Sequence, residues 1–184
     1  MTTTWIIIGI IALLIIWIIA IYNGMVKMRN KVDKEWRNID VQLERRYSLI
    51  PNLVETVKGY ATHEQETLKK VTEYRSAAMN AKSVAEKADA NSMLSSALSG
   101  LSVQLEAYPD LKANTNFLSL QEELASTENK ISFSRSIYNE VVMLYNNKIQ
   151  IFPNNLFAGM FNFKEKELFE MSSEQVKEVP KVSF

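Results

Sequence analysis

Residues Trp5 to Tyr22 form a run of eighteen residues without a charge or a proline, and no other segment restricts the fold so tightly. As a helix the run is about 27 Å long, enough to cross a hydrocarbon core with little tilt. Its ten isoleucines and two leucines each contribute about −0.5 kcal/mol on an insertion scale, so insertion is favoured by roughly 6 kcal/mol. A cleaved signal peptide would need a basic start and a small-residue cleavage site. Here only Thr2, Thr3 and Thr4 separate the run from Met1, and it ends in Tyr22-Asn23-Gly24-Met25. A core helix would keep a polar face, and this segment has none. The run is therefore expected to be a permanent transmembrane helix, with Trp5 and Tyr22 at the headgroup levels.

Basic residues flank one end only. Lys27, Arg29, Lys31, Lys34 and Arg37 follow the span, and none precedes it. Positive-inside bias then places the N-terminus outside and the large C-terminal part in the cytoplasm. Net charge is zero overall, but residues 24–50 carry +3 and residues 51–184 carry −3. A basic stretch beside a bilayer suits anionic headgroups better than nucleic acid, at about 1 kcal/mol per cation. Lys27, Arg29 and Lys31 are the candidate lipid-headgroup residues. Setting topology alone would account for the same charges.

Beyond the span, the chain is long enough for one domain with a real core. The expected organisation is a short external N-terminus (1–4), the span (5–22), a helical body (23–152) and an aromatic C-terminal tail (153–184). Val32, Trp36, Ile39, Leu43, Tyr47 and Ile50 recur at helical spacing. Pro51 either starts a new helix or kinks a continuous one. Helical periodicity resumes over 52–82 and again, more weakly, over 86–107, and Tyr108-Pro109-Asp110 ends it. Phe117, Leu124, Ile131, Tyr138, Tyr145 and Phe152 then repeat every seventh residue up to Pro153. A seam of this kind must lie against other helices, and the helix carrying it is about 55 Å long. No alternating run points to a sheet. The expected fold is all-α: the N-terminal transmembrane helix and then an antiparallel bundle of about four long helices. If Pro51 reverses the chain, the tail returns to the bilayer; if it only kinks a helix, the tail ends far away.

Catalytic constellations are missing. The one histidine, His63, stands in HEQET, where a zinc-protease motif would need a second histidine at Thr67. It reads as a partly exposed helix residue. Without cysteine there is neither disulfide nor thiolate chemistry, and no phosphate loop or nucleophile elbow is present. The expectation is a non-enzyme with no metal or cofactor. Four charged residues near the apolar seams, Asp40, Arg46, Glu128 and Arg135, are candidate structural pins, since buried ions must be paired. The same groups would serve a ligand site between helices. In the tail, Leu156, Phe157, Met160, Phe161 and Phe163 are candidates for docking on a partner or a membrane surface. Folding back on the bundle is the alternative.

The stretches RRYSLIPNLVETVKGYATHE, EAYPDLKANTNFLSLQEELASTENKISFSRSIYNEVVMLYN and FPNNLFAGMFNFKEKELFE resemble the bacterial LemA family, as do the Tyr-Asn pair after the span and the closing VPKVSF. Residues 83–100 resemble it least. The resemblance implies an N-terminal anchor and an all-helical bundle, and it supplies no catalytic residue. LemA-like proteins are often encoded near membrane proteases, which implies a partner rather than a reaction. The functional expectation is a membrane-tethered scaffold or adaptor that organises membrane proteins or the envelope, through a membrane-protein partner (a membrane protease among the candidates) or by self-association. The competing expectation is a tethered sensor with a small ligand between its helices.

Overall fold

The apolar run opens a helix that does not end with it. In a computed structural model, which describes residues 2–61 and 63–170, α1 spans Thr2–Lys58. It is followed by α2 (Gln65–Asn80), α3 (Val84–Leu105), α4 (Pro109–Lys112), α5 (Thr115–Gln150) and α6 (Asn154–Met160). No strand occurs among the described residues. The closing VPKVSF, the expected tail beyond Glu170 and Met1 lie outside them.

Pro51 sits inside α1 and breaks nothing. A proline withdraws the donor owed to the carbonyl four residues back, which here is Tyr47, and Arg75 Nε of α2 donates to that oxygen at 2.7 Å. The chain turns later, between Lys58 and Gln65, so the helix expected over 52–82 is two. Gly59, Tyr60 and His63 are all weak helix formers, and Tyr60 N and Ala61 N close the turn by bonding Val57 O. His63 consequently lies in the connection, exposed, and not on a helix.

The remaining boundaries have local causes. Ser83 caps α3 through a reciprocal box: its Oγ accepts from Glu86 N at 3.1 Å while the Glu86 carboxylate accepts from Ser83 N. This S-x-x-E signal moves the helix start two residues ahead of the expected 86. Pro109 occupies the first turn of α4, where its missing N–H costs nothing. Helix α5 stops at Gln150 because Pro153 disfavours helical geometry at Phe152. Phe152 therefore leaves the seam and is 79% exposed, whereas Phe117, Ile131, Tyr138 and Tyr145 are buried.

The chain packs as two units. In the first, residues up to 37 with 137–166, the described part of α1 runs against the end of α5 in opposite directions. Trp36 meets Tyr138 at 5.5 Å between ring centroids, and the Lys148 side chain approaches Gly24. Met25, Val32, Val142 and Tyr145 are buried there. The apolar window of α1 that is long enough to cross a membrane has none of its residues buried in the protein.

In the second unit, residues 38–136 with 167–170 among those described, contacts between α1 and α3 rise together in number: Asp40 with Lys87, Tyr47 with Asn91. Those between α1 and α5 and their flanking residues run oppositely: Arg45 with Glu123, and Tyr60, just past α1, with Asn114, just before α5. Ile39, Leu43, Ile50, Val57, Val71, Leu94, Leu101 and Phe117 make its core.

Candidate membrane-interface site

The tail's position overturns one expectation. With Pro51 inside a helix, the tail was to end far from the span, yet Phe157 meets Trp17 edge-on at 6.0 Å. The expectation failed because it merged residues 52–82 into one helix. Five residues separate Trp17 from Tyr22, about 7.5 Å of helix rise. Phe157 on α6 and Phe161 at its C-cap, one turn apart, pair with them in reverse order: Phe161 lies 5.0 Å from Tyr22, and Phe163 follows at 5.7 Å.

Short-range chemistry holds this return in place. After α5, Asn154 Nδ2 donates to Lys148 O at 2.9 Å. At the other end of α6, Asn162 adopts φ 57°, a left-handed geometry that asparagine tolerates. Phe163 N then bonds Ala158 O, and Asn162 N bonds Gly159 O. Those two bonds are a Schellman closure. Further on, Asn146 grips Lys166 twice, donating to its carbonyl and accepting from its amide, both at 2.9 Å. Lys166 Nζ reaches Asp33 at 3.1 Å, and the Tyr145 hydroxyl donates to Lys164 O. Burial pushes the Tyr145 hydroxyl above its ordinary value, with Arg29 opposing.

The five tail candidates thus divide. Phe163 is buried, and Phe157 and Phe161 face α1. Leu156 and Met160 point away, 62% and 75% exposed. Among the three basic candidates, Lys27 and Lys31 are exposed, whereas the Arg29 guanidinium lies 5.2 Å from the Phe163 ring centroid, an attraction of about 0.5–1 kcal/mol. Lys148, not among the sequence candidates, lies so near that a Cβ on Gly24 would stand 3.2 Å from its Cε. A charge five residues before an apolar tail was the available signal.

In the second unit, two of the four polar candidates meet. Arg46 Nη1 reaches Glu128 at 3.1 Å, Arg46 Nη2 donates to Ser95 Oγ at 2.8 Å, and Ser95 Oγ donates to Glu128 at 3.2 Å. Arg46 is 2% exposed, because it occupies one step of a seven-residue register otherwise held by Met25, Val32, Ile39 and Leu53. Burial lowers its pKa, and Glu128 pulls the other way. Asp40 pairs with Lys87, and Arg135 is exposed on α5. The three side chains of the Arg46 cluster line one wall of a cleft of about 490 Å³, whose apolar lining includes Leu101, Leu105 and Phe117. No group of three or more His, Cys, Asp or Glu placed to hold a metal occurs among the described residues.

The LemA family model matches residues 35–184. Protein LemA of Metamycoplasma hominis is 28% identical over 151 residues, covering 82% of this chain and 69% of that protein. Magnetosome proteins MamQ 1 and MamQ 2 of Paramagnetospirillum magneticum are each 23% identical over 175 residues, covering 81% of this chain. The matched region spans 64% of the length of each MamQ protein.

Proposed function

The chain belongs to the LemA family, and on that footing we propose that it is a non-catalytic, single-span membrane scaffold. Residues 5–22 anchor it, and its all-helical body is an antiparallel bundle of about four helices. Its N-terminus lies outside and its body lies in the cytoplasm. It organises partner membrane proteins, a membrane protease among the candidates, or further copies of itself. The observation that carries this reading is the apolar window of α1, none of it buried in the protein, with the aromatic tail folded against its end. Such a surface is costly in water and at home in lipid. Two relatives are named for the magnetosome, a structure rather than a reaction. The test is photo-crosslinking in native membranes from Phe133 on the body and Leu156 on the tail, both exposed. Discrete crosslinked species from at least one position are expected. A protein that stays in the membrane and crosslinks to no protein from either would end the scaffold reading.

The cleft beside Arg46 favours a second reading, a tethered sensor. Its volume of about 490 Å³ falls in the range of small-molecule sites, and one charged cluster in an apolar wall is how such sites orient a ligand. Thermal-shift screening of the whole protein in detergent tests it, since a bound ligand raises the melting temperature by mass action. Ligands whose effect vanishes in Arg46→Met would support this reading.

A further inference from the structure

We infer that α6 and its flanking turns are themselves embedded in the acyl layer of the leaflet beside the bundle, so that the chain enters the bilayer twice, once as a span and once as a wedge. The inference rests on the anchor reading above and gives the tail one occupant, lipid.

Three independent features point there. First, depth: Phe157 packs on Trp17, which lies five residues inside the apolar run from Tyr22, about 7.5 Å toward the bilayer centre. A helix held at that level cannot stay in water while Trp17 is in lipid. Second, polarity: Ile149 to Phe163 is fifteen residues without a charge, bracketed by Lys148 and Lys164. Lysines at such ends extend their charged tips to the headgroups while their stems stay apolar. The Lys148 tip, Cε and Nζ, does reach α1 at Gly24, two residues beyond Tyr22. Ile151, Phe152, Leu156 and Met160 are each more than half exposed and continue the exposed apolar surface of the span.

Third, the backbone: irregular chain survives at membrane depth only where its polar groups are satisfied within the protein. Pro153 has no N–H to satisfy. Asn155 N bonds Ile151 O, Leu156 N bonds Pro153 O, and the Schellman pair closes the far end. Asn154 and Asn155 side chains bond the backbone at Lys148 O and Leu156 N. A water-exposed turn has no such need.

Because the chain lacks cysteine, single cysteines report cleanly. Spin labels at Met160→Cys, Ile11→Cys in the span and Lys130→Cys on the exposed face of α5 would be compared in reconstituted phosphatidylcholine–phosphatidylglycerol vesicles, by collision with oxygen and with a water-soluble nickel chelate. The expected result is oxygen-favoured collision at 160 and 11 and nickel-favoured collision at 130. If 160 favours nickel while 11 favours oxygen, the wedge is wrong and the anchor stands. Low collision with both reagents at 160 would mean that protein covers the site, which also overturns the inference. If 11 itself favours nickel, the anchor reading fails and takes the wedge with it. Leu156→Cys repeats the measurement should the 160 variant lose its helical circular dichroism.

Discussion

Arg75 Nε donates to the Tyr47 carbonyl at 2.7 Å, the acceptor that Pro51 leaves without its helical partner. A side chain from α2 thereby replaces one backbone donor of α1 and lets a proline sit in the interior of a 57-residue helix. Arg75→Ala is expected to cost about 1–2 kcal/mol, the worth of a charged hydrogen bond. In a Pro51→Ala background the restored N–H takes over, and the same change should cost under about 0.5 kcal/mol. Unfolding midpoints of the four proteins in detergent give the coupling. Equal costs in both backgrounds would show that Arg75 does not serve this carbonyl.

The Arg46–Glu128 pair should be easier to replace than to break. Glu128→Ala leaves a guanidinium that is 2% exposed and still bonded to Ser95, and a loss of about 1–3 kcal/mol is expected because Glu128 is itself half exposed. Arg46→Met removes the buried charge and places an apolar chain in an apolar register, so it should cost less. Thermal melts of the two variants decide the order.

Three tyrosines make the fold sensitive to alkali. Burial raises the pKa of Tyr47 and of Tyr145, and a hydrogen bond to Glu64 raises that of Tyr108. A folded-state value above the unfolded one means that the native protein holds the proton more firmly. The contribution to stability is therefore complete below about pH 10 and is lost as pH rises past it. Melting temperature is expected to fall as pH rises above about 10. Tyr47→Phe should start lower, for want of the Asn91 hydrogen bond, and fall less steeply. A slope unchanged in Tyr47→Phe would remove that residue from the account.

Asn146 is the main polar tie on the segment after α6. Replacing it with alanine removes two hydrogen bonds to the Lys166 backbone, a loss of about 1–2 kcal/mol confined to that segment. Trypsin cleavage after Lys164 and Lys166 should quicken in Asn146→Ala, while the global melting temperature moves little. Unchanged cleavage would mean that the Lys166–Asp33 pair suffices.

Periodicity and composition made most of the helices legible. Eighteen uncharged residues admit almost no structure but a helix, and the seven-residue repeat from Phe117 to Phe152 placed α5 within two residues of its observed ends. The Arg46–Glu128 meeting was less legible. Each residue stood out as a charge beside an apolar seam, but pairing joins helices eighty residues apart in sequence. Asp40 looked equivalent and found Lys87 instead, because its partner was set by how α3 lies beside α1.

What the amino-acid order determined alone is local: a lipid-compatible helix at one end, amphipathic helices after it, no strand-forming pattern, and caps such as Ser83 with Glu86. These follow from interactions within four to seven residues, which a linear pattern contains. Only the tertiary structure decided that Pro51 is spanned rather than obeyed, and that Phe157, Phe161 and Phe163 turn toward Trp17, Tyr22 and Arg29 while Leu156 and Met160 turn away. The physical reason is that a proline's effect depends on whether a distant donor reaches the orphaned carbonyl. An aromatic residue's role likewise depends on which ring lies opposite, and neither partner is near in sequence.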